Sequence, residues 1–253
     1  MPRLHHLKVT ALLPTPFDIT RTILHRDAAV IVLNKPAGIA VHAGSGKSNA
    51  LDAHFSELRF GLDRDPQLAH RLDKDTSGCL VLGRTREALA RLGKLFQRGL
   101  IEKTYWAIVA GVPAVAEGVI DQPLARRSAD RRSWIMKPVN ADAPEAETAI
   151  TDYRVLKAGD GLSLVEFRPR TGRTHQLRVH AAAMGWPIAG DPIYGGDRAR
   201  AIARHLQLHA RRIVVPQPSR VPPLDITAPL PEHMQPLLRL IGRDPDNTEG
   251  AQA

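Results

Sequence analysis

His70-Arg71-Leu72-Asp73-Lys74-Asp75-Thr76-Ser77-Gly78 places Asp73 two residues after an arginine and one before a lysine, at what reads as a strand end. A carboxylate kept ionised among cations is a nucleophile that can also leave, which suits a reaction that breaks and remakes a bond. The same nine residues would also serve as a solvated loop. Asp73 and Asp75 could form a glycosidase-like pair, but nothing in the spacing supplies a second carboxylate at the required separation. Ser77 stands in Thr-Ser-Gly, not in a GxSxG elbow, so a serine triad has little support.

Other stretches offer weaker chemistry. Ala43-Gly44-Ser45-Gly46-Lys47-Ser48 imitates a phosphate-binding loop, yet Val41 stands where the pattern needs its first glycine. His175 and His180 are five apart, so on a helix they face different ways, and no HExxH is present. The single cysteine, Cys79, lies in an apolar run and reads as a small buried hydrophobe. No metal site is expected.

Two basic segments are more informative. Residues 126–132 hold Arg126, Arg127, Arg131 and Arg132 between two strands, and residues 168–178 hold four more arginines, among them Arg173 and Arg178. Guanidinium forks match phosphate geometry, so both segments read as anion grips. The second also opens a helix, and helix amino ends attract anions. Arg178 lies off the Leu177–Ala181–Met184 stripe, which turns it from the core towards a site.

The bulk composition agrees. Over 253 residues the net charge is +9, with 43% hydrophobic and 24% charged residues, the profile of a globule with a polyanionic partner. Nucleic acid is the expected partner. A membrane surface would want a basic amphipathic helix, which is not found. The longest apolar run, Tyr105 to Ala116, contains Gly111 and Pro113 and is too short to span a bilayer. With one cysteine and no targeting segment, the expected location is the cytoplasm.

The elements that must position these residues follow from pattern. Strands are expected at 28–33, 68–71, 78–84, 103–110, 119–122, 133–137, 147–156, 162–168, 206–215 and 224–226. Helices are expected at 49–58, 86–98, 173–184 and 233–241. In 86–98, Leu89, Leu92 and Phe96 share a face and Gly99 suits the position just past the end. Strands and helices do not alternate strictly, so the fold class is α+β, with a mixed, largely antiparallel central sheet and flanking helices. Residues 1–22 are expected to form an arm, 23–243 one catalytic domain, and 244–253 a flexible tail.

Taken together, the motifs resemble the RluA-type family of pseudouridine synthases. Residues 70–78 fit HRLDxxTSG at every fixed position. Lys103-Thr104-Tyr105-Trp106-Ala107 is similar to KxYxA, and residues 172–180 to GRxHQ(L/I)RxH. Asn34-Lys35-Pro36-Ala37-Gly38 and Gly190-Asp191-Pro192-Ile193-Tyr194-Gly195 follow the family's order, and together the five blocks span most of the chain. The resemblance implies a pseudouridine synthase fold with an RNA-binding cleft, and isomerisation of uridine to pseudouridine in ribosomal or transfer RNA without a cofactor. It maps the nucleophile to Asp73, a facing arginine to Arg178, and an aromatic beneath the uracil, whose phenol could assist loss of the C5 proton, to Tyr105. Arg71 becomes the candidate to fill the gap left by a flipped base. The NKPAG block begins at residue 34, leaving no room for an S4 domain before it. That points to the stand-alone subgroup, expected as a monomer. A catalytically silent RNA-binding module or chaperone of the same fold is the alternative. A nucleosidase is a third reading.

Overall fold

The computed structural model describes residues 17–42, 50–128, 134–218 and 221–242. Twelve strands run through them: β1 Ile23–Arg26, β2 Val30–Lys35, β3 Gln67–Leu68, β4 Ser77–Gly83, β5 Glu102–Ala110, β6 Glu117–Asp121, β7 Leu124–Arg126, β8 Met136–Pro138, β9 Ile150–Gly159, β10 Leu162–Pro169, β11 Leu208–Val215 and β12 Leu224–Thr227. Four helices accompany them: α1 Arg86–Gln97, α2 Gln176–Ala183, α3 Gly196–Ile202 and α4 Gln235–Leu240.

One sheet has the order β1-β2-β4-β11-β5-β10-β9-β6, with β12 beside β11 and β3 beside β4. All its pairings are antiparallel except β4 with β11. The sheet is therefore mixed and largely antiparallel, as the non-alternating pattern predicted. β2 and β4 are buried on both faces, which explains why they read as unbroken apolar runs rather than alternating ones.

The parallel pair forms a seam. It is short, matching His209 with Ser77 and Ala210 with Gly78, and the Ser77 hydroxyl sits 2.9 Å from His209 Nδ1 across it. One apolar cluster lies on each side, the first built around Leu33, Leu51, Leu72 and Leu80, the second around Val165, Phe167, Leu177 and Trp186. Tyr105 packs against both, which places it at the seam. Gly78 explains why the backbones can come so close. Its φ is 106°, and a Cβ there would lie 2.2 Å from the carbonyl oxygen of Ala210. Gly78→Ala combines a left-handed backbone with direct overlap and should cost about 3 kcal/mol. An unchanged urea midpoint would show that the seam opens freely.

Local chemistry sets the helix ends. Thr85 accepts the Ala88 N–H at 3.1 Å and starts α1. At the other end Gly99 adopts φ 67°, with Leu100 N–H bonded to Leu95 O and Gly99 N–H to Phe96 O, the Schellman closure. The expected helix at 49–58 is instead a run of 3₁₀ turns, Leu51–Leu58, and no side chain caps its start. Leu51, Phe55 and Leu58 are its buried residues. The strand expected at 68–71 stops at Leu68, because His70 turns its ring to accept the Val81 N–H at 3.0 Å. The helix expected from 173 starts at Gln176, and α3 lies in a stretch that pattern alone read as turns. Ahead of β1, Ile19 is fully buried in the first cluster.

Candidate active site

The motif loop crosses the seam and is held by its backbone. Lys35, fully buried, donates to the carbonyls of Pro36 (2.8 Å), Ile39 (2.8 Å) and Lys74 (2.9 Å). Three acceptors match the three donors of an ammonium. Burial pulls Lys35 down to about 7, against the pull of Asp75 and Asp73. Gly38 N–H also bonds Lys74 O, and Thr76 N–H bonds the carbonyl of Asp73 itself. The NKPAG turn therefore clamps the residue next to Asp73. His70 is pushed down to about 3, first by burial and then by Lys103, so it is a neutral acceptor stacked on Phe96.

Asp73 is 22% exposed by its side chain and opens into a cleft of about 550 Å³. Its Oδ2 lies 3.6 Å from His175 Nε2 and 3.8 Å from Arg178 Nη1. Among the described residues it accepts no hydrogen bond, so the carboxylate is bare yet flanked by cationic and polar groups. Arg178 is almost wholly buried, as are most residues of α2. Its fork does not grip Asp73. Nε and Nη2 bind Asp191 Oδ2 and Oδ1, each at 2.8 Å, leaving Nη1 towards the cleft. Asp191 Oδ1 also accepts the N–H groups of Ile193 (2.8 Å) and Tyr194 (3.0 Å). Burial would raise the Asp191 carboxyl, but its bonds to Arg178 outweigh this and hold it below the usual range.

Tyr105 lines the same cleft, with no hydrogen bond to its phenol among the described residues. Burial and then Asp73 push its phenol well above the ordinary 10, which keeps it a neutral ring. Expecting its phenol to assist loss of the C5 proton therefore meets an electrostatic obstacle.

The arginines divide. Arg71 is exposed on the cleft rim, and among the described residues neither it nor Lys103, half-sunk in the cleft wall, has an ionic partner. Arg173 lines the cleft but is already engaged, with Nη1 3.0 Å from Glu147 and Nε donating to Thr148 O. Arg126 and Arg127 are exposed on the β7–β8 hairpin, while Arg131, Arg132 and the glycine-rich 43–48 stretch lie outside the described residues. Among the described residues no group of histidines, cysteines or acids could hold a metal, and no helix is long and apolar enough to cross a membrane.

Sequence reasoning missed Lys35, His175, Asp191 and Tyr194 as individual site residues. His175 takes a left-handed φ of 54° before α2, unusual for a non-glycine. Gln176 fixes that turn: its carbonyl accepts from Thr171 and the Arg173 N–H, and its amide donates to Ile150 O and Thr151.

The sequence profile described as RNA pseudouridylate synthase matches residues 29–183, which includes Asp73, Tyr105 and Arg178. The chain belongs to that family. Its members isomerise uridine to pseudouridine in RNA, and the five motifs place this synthase in the RluA-type branch. It is 41% identical over 215 residues to an uncharacterized RNA pseudouridine synthase of Zymomonas mobilis, covering 85% of this chain and 95% of that one. It is 36% identical to the ribosomal large subunit pseudouridine synthase D of the same organism, covering 89% of this chain and 74% of that one. The solved structure of human RNA pseudouridylate synthase domain containing 4 superposes with a TM-score of 0.72 at 32% identity, over 89% of this synthase and 96% of that chain.

Proposed function

We propose that this synthase isomerises uridines in structured RNA, ribosomal or transfer, with Asp73 as the nucleophile. The observation that carries the reading is the bare Asp73 carboxylate, 3.6 Å from His175 and 3.8 Å from Arg178, in one cleft with Tyr105. The relatives named for the ribosomal large subunit favour a ribosomal target.

In this reading the uridine leaves its stack and enters the cleft, at a cost of a few kcal/mol. Arg71 takes the vacated place, its guanidinium plane stacking on the neighbouring base. The uracil lies on the Tyr105 ring. Asp73 adds to the sugar C1′ or the ring C6, the N1–C1′ bond breaks, the uracil turns, and C5 joins C1′. The same carboxylate is then expelled, so nothing is consumed. With Tyr105 held as a phenol, the regenerated Asp73 carboxylate is left to take the C5 proton. Arg178, neutralised by Asp191, keeps one N–H towards Asp73 without masking it. A silent RNA-binding module would gain nothing from a bare carboxylate, which repels phosphate.

Phosphates would be met by Arg71 and Lys103 in the cleft, by the arginines of residues 126–132 (Arg126, Arg127, Arg131 and Arg132), and by Arg173 at the rim. Arg71→Gln and Lys103→Gln should each lower the slope of log affinity against log salt by about 0.7–0.9. Fluorescence anisotropy over a salt series measures this. Unchanged slopes would remove both from phosphate contact. Mapping pseudouridines in RNA from cells with and without the synthase tests the function itself. Loss of defined sites is expected, and an unaltered map would overturn the reading.

A further inference from the structure

The β7–β8 hairpin, with Arg126 and Arg127, reaches into the active site at two points. Met136 N–H donates to Tyr194 Oη at 3.0 Å, and Trp134, 54% exposed, sets its indole edge-on to the His175 ring at 5.0 Å between centroids. Both contacts converge on one pair, since His175 Nδ1 lies 2.9 Å from Tyr194 Oη. On the other side of the ring, His175 Nε2 faces Arg178 Nη1 at 3.2 Å and Asp73 Oδ2 at 3.6 Å. A continuous chain of contacts thus joins the hairpin to the nucleophile, and the reaction described above uses none of its middle members.

Counting protons gives this chain a direction. A guanidinium only donates, so the Nε2 facing Arg178 must be the lone-pair nitrogen. The proton of the neutral ring then sits on Nδ1 and is donated to Tyr194 Oη. With the Met136 N–H, that fills both lone pairs of the phenol oxygen. In this arrangement His175 has no proton to give Asp73. Without the acceptor at Tyr194 Oη, Nδ1–H loses its partner. The ring proton then moves to Nε2, where it opposes Arg178 and hydrogen-bonds the Asp73 carboxylate. A carboxylate so bonded is a poorer nucleophile.

We propose that Tyr194 and His175 are positioning residues that keep the Asp73 carboxylate nucleophilic, by fixing His175 as its Nδ1–H tautomer. The proposal rests on the reading of Asp73 as nucleophile. The charged and titratable groups around the ring are Asp73, Arg178, Asp191, Arg71 and Tyr194. Burial holds His175 below its ordinary range despite the opposing pull of Asp73, which keeps the ring neutral near pH 7.

Tyr194→Phe in the full chain removes the bridging oxygen and keeps the ring. Three readouts are taken: RNA dissociation constant, single-turnover tritium release from RNA labelled at uridine C5, and the ¹⁵N shifts of the His175 ring. A dissociation constant within twofold of wild type, a rate lower by about 10- to 100-fold, and a shift of His175 towards Nε2–H are expected. A wild-type rate overturns the positioning role, and so does a ring that stays Nδ1–H while the rate falls. Should Tyr194→Phe not fold, His175→Asn serves instead, since asparagine tolerates the left-handed backbone; retained affinity with a lowered rate supports the positioning role and a wild-type rate overturns it. Asp73→Asn, run alongside, separates the two claims. Turnover by that variant sinks the nucleophile, whereas its inactivity beside a fully active Tyr194→Phe sinks the positioning role alone.

Discussion

Asp191→Asn should cost the synthase stability and turnover together. Arg178 is nearly inaccessible and sends two of its three nitrogens to Asp191 at 2.8 Å. Breaking a buried pair from one side strands the remaining charge, typically at about 3–5 kcal/mol. Asparagine can still accept the Ile193 and Tyr194 N–H groups through Oδ1, so the loss falls on the guanidinium. Its nearest other carboxylate is Asp73, 3.8 Å away. A guanidinium that turns to grip Asp73 would mask the nucleophile, and single-turnover rates should drop by about 100-fold or more. Replacing both partners, as Arg178→Met with Asp191→Asn, removes the stranded charge and keeps the acceptor for the Ile193 and Tyr194 N–H groups; it should restore much of the stability but none of the activity. Urea unfolding beside tritium release reads both. The pH dependence has a definite sign. Asp191 is held below its unfolded value near 3.9, so its contribution is fully present above about pH 4 and fades as pH falls through the lowered folded value.

Asp73→Asn should show the opposite profile, with turnover lost and structure and binding kept. The side chain is partly exposed and makes no hydrogen bond among the described residues, so asparagine of the same size leaves no partner stranded. Removing a negative charge from a cleft that receives phosphates should leave RNA affinity equal or slightly higher. An amide has no anionic oxygen with which to attack, and the rate should fall by ~10⁴-fold. A parallel loss of binding would instead make Asp73 part of the RNA surface.

How much of this was legible depended on whether the determinant was local. The α1 helix was readable because its face spacing and Gly99 terminus lie within one stretch. The largely antiparallel sheet followed from the lack of alternation between strands and helices. Gly78 stood in the motif, but its reason, the approach of Ala210, comes from a segment over a hundred residues later. Asp191 and Tyr194 stood in a quoted block without a role, because their partners are Arg178, His175 and Met136, which only the fold brings near. Arg178 was expected to face Asp73 directly; the chain alone could not show that Asp191 takes its fork. Lys35 reads as an ordinary turn lysine until the three carbonyls it satisfies are seen together. The burial of Tyr105 beside Asp73, which holds its phenol neutral, comes from the packing of both apolar clusters around it and not from its motif.

The central claim is that one carboxylate takes the uridine and returns it. The most direct measurement is single-turnover tritium release from C5-labelled uridine RNA, with wild type and Asp73→Asn at RNA-saturating protein. Tritium release by the wild type in step with pseudouridine formation, and none above background from Asp73→Asn bound to the same RNA, is the predicted result. Release from the variant at a rate near wild type would contradict it.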